Sequence, residues 1–421
     1  MLLIIFARLN GGLTMNIREL RNMFPALSRT VYGKQLVYFD NAATAQRSQS
    51  VIDKWTQLTI GANANIHRAV HKLAVDATDE YESTRDAVKE YINAAAREEI
   101  VFTSGTTGSI NLVAFSFGET FVNKGDEIIV SESEHHSNIV PWQMLCQRKG
   151  AVLRVLHVDE DGHLNLEELK SLLNPKTRIV AVTQISNVLG ILNPVKEIVS
   201  ICHSVGCPVL IDGAQGMVHE GVDVQDVDCD FYAFSGHKLY AATGTGVLYG
   251  KRKWLDQMVP YQGGGEMIAT VRFSGTTYAP LPEKFEAGTQ NINAIPTLEP
   301  AIEMLKLMKD KELLNAQEAV SQYLLHALTS NPRIRLYGVP RGTETKIPLF
   351  SFSVEGAHHE DLALILDKMG IAVRSGQMCA EPLMDRFGVT GMLRASLAPY
   401  NTMDEAEYFI KSLDKAIAML V

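Results

Sequence analysis

The sequence reads PVLIDGAQ at 208–215, FYAFSGHKLY at 231–240 and GTGVLYG at 244–250, so three short apolar runs lie between Val209 and Tyr249. Short apolar runs bounded by glycine and polar residues are typical of buried β-strands. The first two runs end in polar side chains, where a strand would pass into a loop. Because α/β proteins bind ligands beyond the carboxyl ends of their strands, this stretch predicts both a central sheet and a binding site at its edge.

An acid ends the first run and a lysine follows the second, at Asp212 and Lys238. This pair suits pyridoxal phosphate, since a lysine amine forms a Schiff base with the cofactor aldehyde while a carboxylate keeps the pyridine nitrogen protonated. Ser235 and His237 are donors suited to the phosphate. The alternative is a turn-capping aspartate and a solvated lysine, and the apolar runs on both sides favour the cofactor site.

Composition narrows the class of protein. The chain has 421 residues, 46% of them hydrophobic, and a formal net charge of -9. That balance argues against binding to nucleic acid or an anionic membrane, and no apolar run approaches the ~20 residues that cross a bilayer. Five scattered cysteines fit the reducing cytoplasm better than a disulfide framework or a metal cluster.

The alternation of helices and strands predicts an α/β fold with two units. Residues 1–14 are expected to be an extension, and 15–35 a segment that packs with the smaller unit. The larger unit covers 36–300, with helices near 51–59 and 73–94. Because its strands are apolar throughout and separated by helices, we expect a mostly parallel sheet covered on both faces. Those strands are predicted at 127–131, 152–158, 178–186, 208–212, 231–234 and 246–250.

A smaller α+β unit is predicted at 301–421. It would contain one long helical stretch over 301–328, short strands LFSFSV (349–354) and AVRS (372–375), and helices near 359–369 and 404–420.

The loop SGTTGS (104–109) follows a strand that ends at Thr103. Free amides at the start of the next helix form an anion site, and the hydroxyls of Thr106 and Thr107 would add to it. The loop lacks the lysine of a nucleotide-binding P-loop, so the cofactor phosphate is the expected anion.

The chain resembles cysteine desulfurases of the SufS type, group II of the class V aminotransferase superfamily. The resemblance covers roughly Phe39 to Thr402 and rests on motifs in family order: FDNAAT, NIHRAVH, SGTTGSIN, SESEHHSNIVPW, ISNVLG, IDGAQ, FSGHKLYAATGTGVLYG, QGGGEMI, EAGTQN, RSGQMCAEPLM and LRASLAPYNT. It implies a homodimeric fold-type-I pyridoxal-phosphate enzyme that takes sulfur from L-cysteine as an enzyme-bound persulfide, leaving L-alanine and supplying iron-sulfur cluster assembly.

The resemblance also implies a role for each matching residue. Lys238 and Asp212 would hold the cofactor aldehyde and the pyridine nitrogen, His135 would stack on the ring and handle protons, and Gln215 would lie near the phenolic oxygen. The implied phosphate ligands are Thr106, Thr107, Ser235, His237 and, reaching across from the other subunit, Thr289. The implied substrate residues are Asn187, Arg394, Arg374 and His67.

Some of these residues have plainer explanations. His67 and His71 lie four residues apart, but without an acid in an HExxH-like pattern we expect no metal site there, and a segment that supports the neighbouring subunit's site is favoured. Arg394 would otherwise form a structural ion pair, although a guanidinium suits an amino-acid carboxylate.

Cys379 is the expected nucleophile, because Gly376 and Pro382 mark a loop around it and Arg374 is a nearby cation. The alternative is a small buried apolar residue. Two positions depart from many relatives: Gly108 replaces the glutamate of GTTE, and Met378 replaces a histidine before the nucleophile. The short segment from Arg374 to Pro382 resembles the SufS group, so a SufE-like or SufU-like acceptor protein is expected.

Three other functions share part of this pattern. A selenocysteine lyase would use L-selenocysteine with nearly every residue above. A class V aminotransferase would need Lys238 and Asp212 but not Cys379. A non-enzymatic scaffold would be expected to lose Lys238 or the phosphate donors, and this chain keeps both.

Overall fold

The computed structural model of the protein describes residues 15–341 and 346–421, so the predicted extension at 1–14 lies outside the described residues. Its strands, in chain order, are β1 (Thr30–Val31), β2 (Lys34–Gln35), β3 (Val37–Tyr38), β4 (Ile100–Thr103), β5 (Glu127–Ser131), β6 (Val152–Leu156), β7 (Thr177–Thr183), β8 (Val209–Asp212), β9 (Phe231–Ser235), β10 (Gly246–Gly250), β11 (Ile268–Arg272), β12 (Gly275–Tyr278), β13 (Ile334–Tyr337), β14 (Leu349–Val354), β15 (Ile371–Ala372), β16 (Arg374–Gly376) and β17 (Met392–Ser396).

The α-helices surround these strands. They are α1 (Ile17–Asn22), α2 (Gln49–Gly61), α3 (Lys72–Tyr91), α4 (Thr106–Phe121), α5 (Val140–Lys149), α6 (Leu166–Leu172), α7 (Val195–His203), α8 (Gly216–His219), α9 (Val224–Val227), α10 (Arg252–Leu255), α11 (Leu298–Met308), α12 (Lys311–Ser330), α13 (His359–Lys368), α14 (Glu381–Phe387) and α15 (Met403–Leu420). Several begin at a side chain that accepts a first-turn amide: Asn165 for α6, Asp310 for α12 and Thr402 for α15.

In the described part of the chain, the central sheet has seven strands in the order β4-β10-β9-β8-β7-β5-β6. Strand β10 runs antiparallel to both of its neighbours, β4 and β9, and the other pairs are parallel. The mostly parallel sheet, with helices around it, confirms the predicted fold class.

Both faces of the sheet are buried in apolar clusters, because successive residues of one strand point to opposite faces. This is why the strands read as continuous apolar runs. One cluster contains Ile129, Val180, Ile211, Tyr232 and Val247, and the other contains Ile128, Ile179, Leu210, Phe231 and Leu248.

A second, antiparallel sheet lies in the C-terminal part, with the order β13-β14-β17-β16. Its cluster combines Phe350 and Leu393 from the strands with Leu324, Leu362 and Phe409 from the helices. Strands β13 and β17 were missed in the sequence, and β17 carries Arg394 to the site described below.

The stretch 301–328, predicted as one helical stretch, is two helices. Helix α11 ends at Met308, and Asp310 caps the start of α12, because its Oδ1 accepts the amide of Glu312 at 2.9 Å. Helix α11 packs against α2 and α3 in the large cluster. The boundary between 300 and 301 therefore stays a prediction, with α11 lying across it.

The N-terminal segment packs against both the large apolar cluster and the C-terminal part of the chain. Strand β3 pairs in parallel with β15, and Arg21 forms an ion pair with Glu405 of α15 at 2.9 Å. Leu20 and Phe24 are buried in the large cluster. The segment thereby brings Asp40, just after β3, to Ser396 at the end of β17.

Candidate active site

A pocket lies at the carboxyl edge of the central sheet, between it and the smaller sheet. Twelve residues predicted from the sequence line it: Thr106, Thr107, His135, Asn187, Asp212, Gln215, Ser235, His237, Lys238, Arg374, Cys379 and Arg394. They come from strand ends and loops that are distant in sequence, so the fold brings the predicted set together.

Asp212 ends β8 and is only 3% exposed. Its Oδ1 accepts the amide of Ala214 at 2.9 Å, while within the described residues no donor bonds Oδ2. Burial raises the pKa of Asp212, and Lys238 partly opposes that change. A cation or N–H donor placed at Oδ2 would therefore be strongly favoured.

Lys238 follows β9 and faces the same pocket. Burial lowers the pKa of its amine to about 8, since the ammonium form is poorly solvated, and Asp212 is the largest opposing influence. The positive charge of Arg394 acts in the same direction as burial. With a pKa of about 8, about one-tenth of this amine is neutral at pH 7, and the neutral form is the one that acts as a nucleophile or base.

The start of α4 forms an anion cradle. Gly105, at φ +147°, turns the chain into the helix, and Ser235 Oγ accepts the Thr106 amide at 2.7 Å and lies 2.7 Å from Thr106 Oγ1. Thr107 Oγ1 is 2.8 Å from Ser137 Oγ. First-turn amides and hydroxyls at a helix N-terminus suit a phosphate.

His135 lies after β5, and its Nδ1 accepts the amide of Ser137 at 3.1 Å. A neutral ring therefore carries its proton on Nε2. Burial, followed by the charge of Lys238, lowers the pKa of His135 to about 4. The ring is uncharged at neutral pH and is available for stacking and hydrogen bonding.

Glu134 precedes His135, is fully buried, and was missed in the sequence. Its carboxylate accepts hydrogen bonds from the hydroxyl of Ser131, from Asn138 Nδ2 at 2.7 Å and from the Thr183 amide at 2.8 Å. Burial raises its pKa to about 8. This network ties the end of β5 to the end of β7 and so fixes the segment that carries His135; its only sequence signal is the acid inside SESEHH.

Arg394 is 2% exposed and faces Asp40, a second residue missed in the sequence. Its Nη1 donates to Asn187 O at 2.8 Å and its Nη2 to Asp40 Oδ1 at 3.3 Å. Burial lowers the pKa of Arg394 to about 10 against the opposing charge of Asp40. In the described residues no acceptor meets its buried Nε, so the guanidinium keeps donor capacity for an anion.

Arg374 joins the same group more loosely, with Nη1 3.8 Å from Asp40 Oδ2 and a side chain 44% exposed. Gln215 donates from Nε2 to Ala42 O at 2.8 Å.

Asp40 follows β3 in the motif FDNAAT. An acid at the end of a strand is the sequence signal that would have identified Asp40 as a site residue.

Cys379 is exposed at the pocket, in a segment with unusual backbone conformation. Met378 and Cys379 both have φ +55°, and Gly376 has φ +105°. Asn187 Nδ2 donates to Met378 O at 2.9 Å, and the Met378 side chain is buried with Val188, which explains an apolar residue at this position. Residues in such conformations cluster at functional sites.

Two predicted site residues do not line this pocket. His67 lies 3.1 Å from Glu82, from Nε2 to Oε1, and Glu82 raises its pKa. Thr289 lines a separate exposed cavity together with Ser104 and Gly108. A side chain at Gly108 would meet Ser104 Oγ at 2.8 Å, measured from its Cβ, and this hydroxyl can rotate away, so the structure gives no steric reason for a glycine here.

The pocket fits pyridoxal phosphate. It offers a helix N-terminus with hydroxyls for the phosphate, a partly neutral lysine for the aldehyde, and the open Oδ2 of Asp212 for the pyridine nitrogen.

The described residues form neither a metal centre nor a membrane-spanning helix. No three His, Cys, Asp or Glu side chains among residues 15–341 and 346–421 converge as metal ligands would. Over the same ranges, every helix is too short or too polar to cross a bilayer.

Comparisons with known proteins point to one family. The family described as Aminotransferase class-V matches residues 37–409. A cysteine desulfurase from Pectobacterium carotovorum is 45% identical over 96% of this chain and 98% of its own. The crystal structure of the cysteine desulfurase CsdA (S-sulfonic acid) from Escherichia coli has a TM-score of 0.89 at 39% identity, over 97% of this chain and 100% of that one. The apo cysteine desulfurase of Thermococcus onnurineus has a TM-score of 0.90 at 34% identity, with the same coverage.

Proposed function

Since the chain belongs to the aminotransferase class-V family and is a cysteine desulfurase within it, we propose that it transfers the sulfur of L-cysteine to Cys379 and releases L-alanine. The observation that carries this proposal is the position of Cys379, whose thiol lines the same pocket as Lys238 and Arg394. The persulfide would then pass to an acceptor for iron-sulfur cluster assembly.

Arg394 is the proposed anchor of the substrate carboxylate. Among the described residues its buried guanidinium pairs with Asp40, and its Nε has no hydrogen-bond acceptor. An amino-acid carboxylate would therefore supply both a negative charge and hydrogen-bond acceptors. Asn187 holds the strand β17 arginine and the nucleophile segment at once, through its backbone oxygen and its side-chain amide. Asn187 thereby fixes the position of the substrate-binding arginine relative to the segment that carries the nucleophile.

Lys238 is the proposed base at the substrate Cα. Bound pyridoxal phosphate supplies an electron sink for the negative charge that develops at this carbon. Lys238 Nζ takes the Cα proton, which its lowered pKa permits. Asp212 would hold the pyridine nitrogen of the bound cofactor, and neutral His135 lines the same pocket.

Cys379 is the proposed sulfur acceptor. Its thiolate attacks the substrate sulfur, so that an S–S bond forms while the substrate C–S bond breaks. The electron pair of the broken bond stays on the carbon fragment, which takes up protons and leaves as alanine. Atoms and electrons balance without an added oxidant, because L-cysteine and one thiol give L-alanine and one persulfide.

The test is a Cys379→Ser variant of the holoenzyme. Because the nucleophile is removed while the cofactor and carboxylate contacts remain, alanine formation should fall by at least about 100-fold with unchanged cofactor content. Cys146→Ser, at a buried cysteine outside the pocket, is the matched control. Undiminished alanine formation by Cys379→Ser would refute the proposed role.

Finer features of the enzyme belong to the same proposal. The short segment from Arg374 to Pro382 supports the SufS type and a SufE-like or SufU-like acceptor protein. Five free cysteines are compatible with the reducing cytoplasm. The large exposure of Ile60 and Val70, at 82% and 96%, supports a homodimer that covers them.

L-Selenocysteine would fit the same residues as L-cysteine, and relative turnover on the two substrates measures the preference. A class V aminotransferase would instead form a keto acid and keep its activity in Cys379→Ser.

A further inference from the structure

The adjacent histidines 135 and 136 make contacts with different parts of the site. His135 bonds Ser137 and lines the cofactor pocket. His136 is directed to the nucleophile segment: its amide donates to Cys379 O at 2.7 Å, and its Nε2 accepts the amide of Glu381 at 3.0 Å. The mechanism derived above makes no use of these two contacts.

The nucleophile segment needs such support from outside. Consecutive non-glycine residues at φ +55°, Met378 and Cys379, are disfavoured for L-amino acids and persist only where surrounding contacts hold them. Asn187 bonds the oxygen of Met378. His136 bonds the next carbonyl, that of Cys379, and the amide two residues later, so Asn187 and His136 together hold the segment on the two sides of the thiol.

Glu381 is the first residue of α14, and its amide has no acceptor within that helix. The residue before the helix, Ala380, has no side chain that could supply one. The imidazole of His136 therefore acts in place of a capping side chain, from another part of the chain. Losing this acceptor would free the start of α14, two residues after Cys379.

We propose that His136 is a positioning residue for the nucleophile: its imidazole fixes the start of α14, so that the Cys379 thiol stays at the pocket near Lys238 and Arg394. The inference rests on the proposed function and adds a residue to it. His136 is not among the residues that line the cofactor pocket, and it acts through Cys379.

Two variants separate the hydrogen bond from the bulk of the ring. His136→Phe keeps the size but offers no acceptor, whereas the side-chain oxygen of His136→Gln can accept the Glu381 amide. His326→Phe, at an exposed histidine on α12, is the control for changing a histidine elsewhere. Each is purified as holoenzyme, and its cofactor content is measured first.

The readout is the kcat and KM of alanine formation, with persulfide mapped to Cys379. We expect His136→Phe to lower kcat by about tenfold or more while KM for L-cysteine and cofactor content change less than about twofold, because the thiol and not the substrate is misplaced. His136→Gln should recover to within about threefold of the unaltered enzyme.

Equal kcat in His136→Phe and the unaltered enzyme would overturn the inference. So would a His136→Gln enzyme as slow as His136→Phe, or a loss of cofactor in His136→Phe that accounts for its slower rate. The unaltered enzyme in the same assay reports separately on the proposed function: if it forms alanine and persulfide, an unaffected His136→Phe refutes the positioning role alone, and if it forms neither, both fail.

Discussion

Arg394 combines near-complete burial with incomplete bonding, and this makes it the residue on which substrate binding should depend most. Its Nη1 and Nη2 donate hydrogen bonds to Asn187 and Asp40, and its Nε has no acceptor in the described part of the chain. A lysine at this position would keep the charge but lose the planar fork of donors. Its single ammonium group would also replace the two separate donors that now bond Asn187 O and Asp40.

We therefore expect Arg394→Lys to raise KM for L-cysteine by about tenfold to 100-fold, the effect of losing one or two charge-assisted hydrogen bonds. Steady-state kinetics of alanine formation measure it. Arg148→Lys, at an exposed arginine paired with Glu119, should be indistinguishable from the unaltered enzyme. An unchanged KM in Arg394→Lys would remove Arg394 from the carboxylate site.

The pKa of Lys238 sets the expected pH dependence. Its amine is the active base when neutral, and burial lowers its pKa to about 8. Below that pH the neutral fraction falls about tenfold per unit, so kcat should rise from pH 6, reach half of its maximum near pH 8 and level off above about pH 9. His135, with its pKa lowered to about 4, should contribute no step in this range. A kcat that does not vary between pH 6 and 8 would contradict Lys238 as the base.

At the scale of single residues, the sequence predicted most of the residues that line the pocket, but not the contacts that hold those residues in place. Lys238, Asp212 and Cys379 carry chemical groups that a reaction needs, and they stand in recognisable motifs. Asp40 and the contacts of His136 were missed, because they depend on residues more than 200 positions away, at Arg394 and Glu381. Spacing along the chain carries no signal of such contacts.

At the scale of elements, the phosphate cradle depends on two glycines that touch. A Cβ on Gly246, at the start of β10, would lie 2.3 Å from the Cα of Gly105, which precedes α4. The start of α4 can lie this close to the sheet only because Gly246 has no side chain.

Gly246→Ala should displace the start of α4 and weaken pyridoxal phosphate binding by about tenfold or more, since the first-turn amides and Thr106 move with it. Titration of the apo protein with the cofactor measures this affinity. Gly61→Ala, where a Cβ would meet no atom within 4 Å, should bind as the unaltered protein does. Equal affinities in the two variants would mean that this close approach does not shape the cradle.

The predictability of the elements follows how each is buried. Strands covered on both faces are apolar throughout, so those at 127–131 and 246–250 were predicted with the observed bounds. Strand β17 contains the charged Arg394 and was missed. The antiparallel direction of β10 depends on pairing with β4, more than 140 residues earlier, and no local pattern expresses it.

At the scale of the whole molecule, Thr289 and His67 are the predicted site residues that the single chain leaves outside the pocket. The loop before Thr289 is firmly held: buried Glu286 accepts hydrogen bonds from Arg85 at 2.7 Å and from the Phe102 amide at 2.7 Å. A rigid loop that presents an exposed threonine is compatible with a phosphate contact made across a homodimer.

Mixed dimers test this arrangement. Thr289→Ala homodimers should lose cofactor affinity, and Lys238→Ala homodimers should be inactive. If Thr289 serves the site of the other chain, a dimer of one Thr289→Ala chain and one Lys238→Ala chain contains one complete site. Co-expressed and separately tagged chains should then recover close to half of the unaltered activity per dimer. Recovery no greater than that of Thr289→Ala alone would place Thr289 outside the partner's site.

The central claim is that sulfur passes from L-cysteine to Cys379. The most direct measurement is the intact mass of the holoenzyme after incubation with L-cysteine, with and without a reductant, followed by peptide mapping and assay of the amino-acid product. The account predicts one added sulfur atom on Cys379, removed by the reductant, with alanine formed in step. An unmodified Cys379, with a keto acid formed in place of alanine, would contradict it.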